Sequence, residues 1–158
     1  MYVDRADPSR GLPWALGVGS RVPAYCSGMG KAILAFVEPE TVGYLLPAQL
    51  EARTTATITD PGALRADLAL TRSRGYAVDD EEYLAGVRCV AVPVVSVAGE
   101  VAGAVSVAAS AARLTRDSVA GVVPALRRAS SRLAGLLESP VAVGARATAT
   151  QALDWSGE

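Results

Sequence analysis

Apolar and polar positions alternate most regularly in the second half of the chain. Val87–Val97 and Val101–Ala109 are dense in β-branched residues and meet at Ala98-Gly99, which predicts an antiparallel hairpin. Pairing 97 with 100, or equivalently 96 with 101, gives partners whose numbers sum to 197, whether the loop holds two residues or four. Cys89 then faces Ala108, Ala91 faces Ser106 and Pro93 faces Ala104. With a side-chain period of two, Cys89, Ala91, Ala104, Ser106 and Ala108 share one face lined by small side chains, and Val101, Gly103, Val105 and Val107 point the other way.

Helical spacing dominates elsewhere. Ser27 stands at an N-cap position before the apolar run Ala32–Val37, and Pro39 opens a second helix carrying Val42, Leu45 and Leu46 that Pro47 stops. Asp60, Pro61, the spacing of Leu64, Leu68 and Thr71, and Gly75 predict a third helix with both ends marked. Thr115 caps a fourth, in which Val119, Val122, Leu126, Ala129, Leu133 and Leu136 form one stripe and Pro124 introduces a kink. Short strands are expected around Gly17 and Gly19 in residues 14–25, in the β-branched stretch Arg53–Thr59, and at Tyr76–Asp79. Residues 1–13 read as a linker, 14–138 as one domain and 139–158 as a mobile tail.

Composition narrows the function more than the fold. The 158 residues are 51% hydrophobic and 20% charged, with a formal net charge of −1, so no global field draws the chain to nucleic acid or anionic lipid. The absence of histidine removes His-based triads and dyads and the commonest metal ligand. Cys26 and Cys89 make neither a zinc set nor a disulfide framework, which fits a reduced, cytoplasmic chain. No apolar run is long enough for a transmembrane helix, and no secretory signal opens the chain. Neither metal nor cofactor is expected.

Ser27-Gly28-Met29-Gly30-Lys31 lacks the outer glycine and the following Ser/Thr of a phosphate loop. It leaves two readings open: a helix start whose free N–H groups hold a small anion, or a helix packed closely on a sheet through glycine. Asp79-Asp80-Glu81-Glu82 lacks the alternation of a calcium loop and reads as a solvated acidic turn, with Asp79 the member able to point inward. Cys89 reads as a buried small hydrophobe rather than a nucleophile, and Ser106 as a pocket or packing hydroxyl, because no base accompanies either.

The run from Arg74-Gly75-Tyr76 through Asp79-Asp80-Glu81-Glu82 to Gly86-Val87-Arg88-Cys89-Val90-Ala91-Val92-Pro93 resembles the central signature of the C-terminal effector-binding domain of IclR-type transcriptional regulators. Ser27–Ala32, Thr54–Thr57, Gly99 and Ala104–Val107 follow in the family's order, so the resemblance covers about residues 12–137. It implies an α/β (α+β), GAF-like domain with a central antiparallel sheet flanked by helices. It further implies a small organic effector, often a carboxylic acid or aromatic metabolite, and self-association as dimers or tetramers. DNA would be read only by a separate N-terminal winged helix-turn-helix, for which residues 1–13 are too few; an excised domain or a natural truncation is expected.

Carried over by position, the implied ligand-binding residues are Gly28 and Met29 at the helix start, Asp79, Cys89 and Ser106, with Val22 and Val87 as apolar wall. Ala108 departs from the pattern, since members with an acid-binding pocket can carry a second serine there, and Met29 is bulkier than the frequent alanine. Both departures make the pocket less polar and argue against a very small keto acid. A sensing domain without catalytic residues is thus the favoured reading; the alternative is a small stand-alone α/β enzyme using Cys89 or Asp79.

Overall fold

The computed structural model describes residues 1–6 and 16–137. Most of the linker reading, with Asp7, Pro8, Gly11 and Pro13, the first two residues of the expected strand region 14–25, and the whole tail reading of 139–158, lie outside them.

Three antiparallel strands, β1 (Ala77–Asp80), β2 (Val87–Val95) and β3 (Val101–Ser110), form one sheet in that order. Cys89 pairs with Ala108, Ala91 with Ser106 and Pro93 with Ala104, so the register derived from the alternation holds. Between Val94 and Val95 it slips, and Val95 pairs with Val101. The tight connection carries Gly99 at φ 83°, which only glycine adopts without cost.

Helices cover both faces. On one lies α1 (Gly28–Leu34), and there Ala32 packs with Ala77 and Ala91, flanked by Met29 and Ala104. The other face, Val90 and Val92, is covered by α4 (Val119–Leu137) through Val119, Val123 and Leu126. Ser130 donates to the Pro93 carbonyl at 2.6 Å, fixing α4 along β2. A second core joins α1 to α2 (Pro39–Leu45) and α3 (Pro61–Arg74) through Leu34, Val42, Leu50, Leu64 and Leu68. The start of α3 matches its sequence signals: the Asp60 side chain accepts from Ala63 N–H, Pro61 opens the helix, and Gly75 ends it at φ 77°. The fold is α+β, and no helix among the described residues is long and apolar enough to cross a membrane.

Four expectations fail locally. Residues 16–25 form no strand; they make a turn at 18–19 and a 3-10 turn at Ala24–Cys26. Tyr2 N–H nevertheless donates to Ser20 C=O, and Gly19 N–H to Tyr2 C=O, so the start of the chain is held against this turn. Residues 53–59 form no strand; the Thr57 hydroxyl accepts from the N–H groups of Arg53 and Thr54 and closes a turn over 53–57 instead. Helix α4 begins at Val119, later than expected: the Thr115 hydroxyl does accept from Ser118 N–H at 3.3 Å, but it heads a stretch joined by i→i+3 bonds before the helix is established. It continues through Pro124, and its buried positions end at Ser130. Leu133 and Leu136 are 43% and 65% exposed, because Ser130 already lies opposite Pro93, two residues before β2 ends.

Candidate functional site

Asp79, Cys89 and Ala108 occupy one row across the sheet, since Asp79 pairs with Cys89 and Cys89 with Ala108. Ser106 lies on the same face one pair along, opposite Ala91. Above this row stands the start of α1. A Cβ on Gly28 would lie 2.8 Å from the Cys89 sulfur, and one on Gly30 only 2.3 Å from the Ala24 carbonyl oxygen. The glycines of Ser27–Lys31 therefore serve close packing, the second of the two sequence readings. Of the first N–H groups of α1, that of Gly30 is taken by the Ser27 hydroxyl and that of Gly28 is directed at the Cys89 sulfur.

Cys89 is the centre of this arrangement. Burial pushes its thiol up to about 12, and the nearby Asp79 charge adds to the rise; the Ser106 hydroxyl, Lys31 and the Gly28 N–H act the other way. At neutral pH the sulfur is a protonated, apolar wall and no nucleophile. Met29 packs beside it against Ala77 and Ala91. The contacts thus bring Gly28, Met29, Asp79, Cys89, Ser106 and Ala108 together. Val87 opens β2 opposite Ser110 on the same face, whereas Val22 is half-buried just ahead of the 3-10 turn and, among the described residues, belongs to neither the sheet nor α1.

The acidic run is not a solvated turn. Asp79 is buried, and its Oδ1 accepts from the N–H groups of Glu82 at 2.8 Å and Tyr83 at 3.3 Å. Asp80 points to the opposite face, where it accepts from Arg88 and Arg116 at 2.7 Å each. Glu81 sits at φ 64° and accepts from Gly86 N–H. Glu82 is buried and bonded to Lys31 Nζ at 2.5 Å. Every member has a partner within the chain, which is why the run is not free to ligate an ion.

Two participants carried no local signal. Lys31, 1% exposed, lies between Glu82 and Asp67, the latter at 2.9 Å. Tyr2, inside the expected linker, brings its phenol near the row: burial, then the charges of Cys89, Asp79 and Tyr83, push it up to about 12.

Asp79 has a pH signature. Burial pushes its carboxyl up to about 6, against the pull of its two N–H donors. The folded chain holds this proton more tightly than the unfolded one, so the favourable contribution of Asp79 is complete below about pH 4 and is lost as pH rises through about 6. Asp79→Asn keeps an acceptor oxygen without the charge. Its stability relative to the parent is expected to improve by about 2–3 kcal/mol between about pH 4 and pH 8. Urea unfolding of both chains across that interval checks it; a constant difference would mean that the carboxyl does not hold its proton.

An α+β domain whose sheet presents a small-residue face beneath a helix start has the layout of a binding domain. Residues 1–134 match the family described as bacterial transcriptional regulator IclR C-terminal. The HTH-type transcriptional regulator BhcR of Paracoccus denitrificans is 37% identical over 134 residues, covering 84% of this chain and 48% of that protein. Among solved structures, Thermotoga maritima IclR superposes with a TM-score of 0.79 at 31% identity, covering 85% of this chain and 55% of that one. The inducer-binding domain of the Acinetobacter transcription factor PobR, as a double mutant in complex with 3-hydroxybenzoic acid, gives 0.74 at 27% identity, covering 82% and 75%. The chain belongs to the IclR C-terminal family, whose named members here are transcriptional regulators and not enzymes. It spans about half the length of the curated relatives it matches.

Proposed function

We propose that this domain senses a small organic effector, an acid or hydroxylated aromatic with an apolar body, bound between the start of α1 and the Asp79–Cys89–Ala108 row. The observation that carries the reading is the Ser106 hydroxyl and buried Asp79 set around an apolar sulfur on a sheet face of small residues. The Met29 N–H and the Ser106 hydroxyl would meet the acidic end, Asp79 would accept from a ligand hydroxyl or take up a proton beside the ligand's charge, and Cys89, Met29 and the outer wall at Val87 would bury the apolar body. The binding of 3-hydroxybenzoic acid by the PobR domain supports this ligand class. In a full regulator in the cytoplasm, self-association through such domains would let the effector shift the relative placement of DNA-reading heads.

Thermal-shift screening against small organic acids, 3-hydroxybenzoate included, followed by calorimetry on the best binder, tests the assignment. Ser106→Ala is expected to weaken binding by about 1–2 kcal/mol with the fold intact, because one hydrogen bond to a polar or charged ligand is lost. Unchanged affinity in both Ser106→Ala and Asp79→Asn would place the effector elsewhere.

A further inference from the structure

A cavity of about 560 Å³ opens between the end of α1, α2 and α3, and none of its lining residues belongs to the Cys89–Ser106 face. Its floor is the buried Leu34, Val42, Leu64 and Leu68, so the space has few polar groups to hold water. Two of the residues around it are basic and none is acidic. Arg65 and Arg72 stand seven residues apart, two turns along the same face of α3. Arg72 is held at the end of α1 by the Ala35 carbonyl at 3.5 Å and lies 5.7 Å from the Phe36 ring centroid. Arg65 makes no ion pair or hydrogen bond among the described residues, so its charge is uncompensated.

We propose that this cavity is a second small-molecule site, for an amphipathic organic anion. An aliphatic or aromatic body fills the space over Leu64 and Leu68, and a carboxylate or sulfonate rests on Arg65 and Arg72. The charge pattern selects the occupant: an apolar trough with cations at its rim and no carboxylate complements a molecule with one negative end. The volume falls within the range of about 300–1,000 Å³ common to ligand clefts. Helix α2 forms one wall and only its Val42 is buried, so entry asks little of the rest of the fold.

The probe is 1-anilinonaphthalene-8-sulfonate, read by its fluorescence on the whole chain, with decanoate as competitor. Saturable binding displaced by decanoate is expected. Arg65→Glu, on the exposed side of α3, should weaken it about tenfold or more by reversing the charge that meets the sulfonate. Ala69→Trp should abolish it by filling the cavity, and Ser106→Ala should leave it unchanged. The proposal is overturned by an absence of saturable binding, by binding indifferent to Arg65→Glu, or by binding lost in Ser106→Ala, which would put the probe on the sheet face. It is also overturned if Ala69→Trp lowers the association state in sedimentation, since a second copy would then be the occupant.

Discussion

Lys31→Met is expected to cost the chain about 3–5 kcal/mol, because it removes the partner of a buried carboxylate and leaves that charge without compensation. Lys31 Nζ lies 2.5 Å from Glu82 Oε1 and 2.9 Å from Asp67 Oδ2. The Asp67 contact is an ion pair without hydrogen-bond alignment, and the second Glu82 oxygen has no partner of its own, so only the Asp80 N–H, at 3.5 Å from Oε1, is left to the carboxylate when the ammonium is gone. Burial already pushes the Glu82 carboxyl up, with Lys31 the chief opposing influence. A domain's whole stability is about 5–15 kcal/mol, so the variant should sit near its unfolding threshold. Urea unfolding followed by circular dichroism reads the effect. The double variant Lys31→Met, Glu82→Gln should recover about 2 kcal/mol, since the orphaned charge is removed with its partner. A single variant within about 1 kcal/mol of the parent would show that the pair contributes nothing to stability.

Gly30→Ala should be nearly as severe, at about 3 kcal/mol or more, for a purely steric reason. The added Cβ would stand 2.3, 2.4 and 2.7 Å from the O, Cα and C of Ala24, and all three are backbone atoms with no rotamer to change. Either α1 or the 3-10 turn before it must move. Gly28→Ala is the milder counterpart. Its Cβ would meet the Cys89 sulfur at 2.8 Å, so Cys89→Ala should relieve most of its cost and none of the cost at Gly30. Unfolding midpoints of the four chains separate the two cases; a Gly30→Ala protein as stable as the parent would show that α1 does not approach the turn so closely.

What the sequence disclosed depended on how far apart the interacting residues lie. The register of the hairpin was legible from Val87 to Val94 because its signal is local: two β-rich runs, a glycine between them and a period of two; it failed at the turn, where Val95 and not Ser96 pairs with Val101. The bounds of α3 were legible for the same reason, with Asp60, Pro61 and Gly75 acting within a turn of themselves. The grouping of Cys89, Ser106 and Ala108 followed from register alone. Lys31 and Glu82 were hidden, being 51 residues apart and looking, singly, like surface charges. Their burial depends on α1 lying over the β1–β2 connection, and no window of sequence contains both. The acidic run misled because its members turn to opposite faces of the sheet and each finds a distant cation or a backbone N–H. The Thr54–Thr57 stretch misled because threonine favours strands by shape but closes turns through its hydroxyl, which here also donates to the Glu82 carbonyl at 2.6 Å.

The division of labour between the two sides of the sheet bears on how such a domain changes over generations. Val90 and Val92 anchor α4 with side chains of fixed, large volume, and enlargement or loss there is felt through the whole core. Ser106 and Ala108 belong to the opposite side of the same strands, where Ser106 is only half-buried and Ala108 is exposed. A substitution at either position alters the bulk and polarity of the sheet face turned toward α1 without touching a residue that holds α4. The proposed recognition surface can therefore drift by single mutations at little risk to the scaffold, and descendants of one domain can diverge in what they answer to while keeping one architecture.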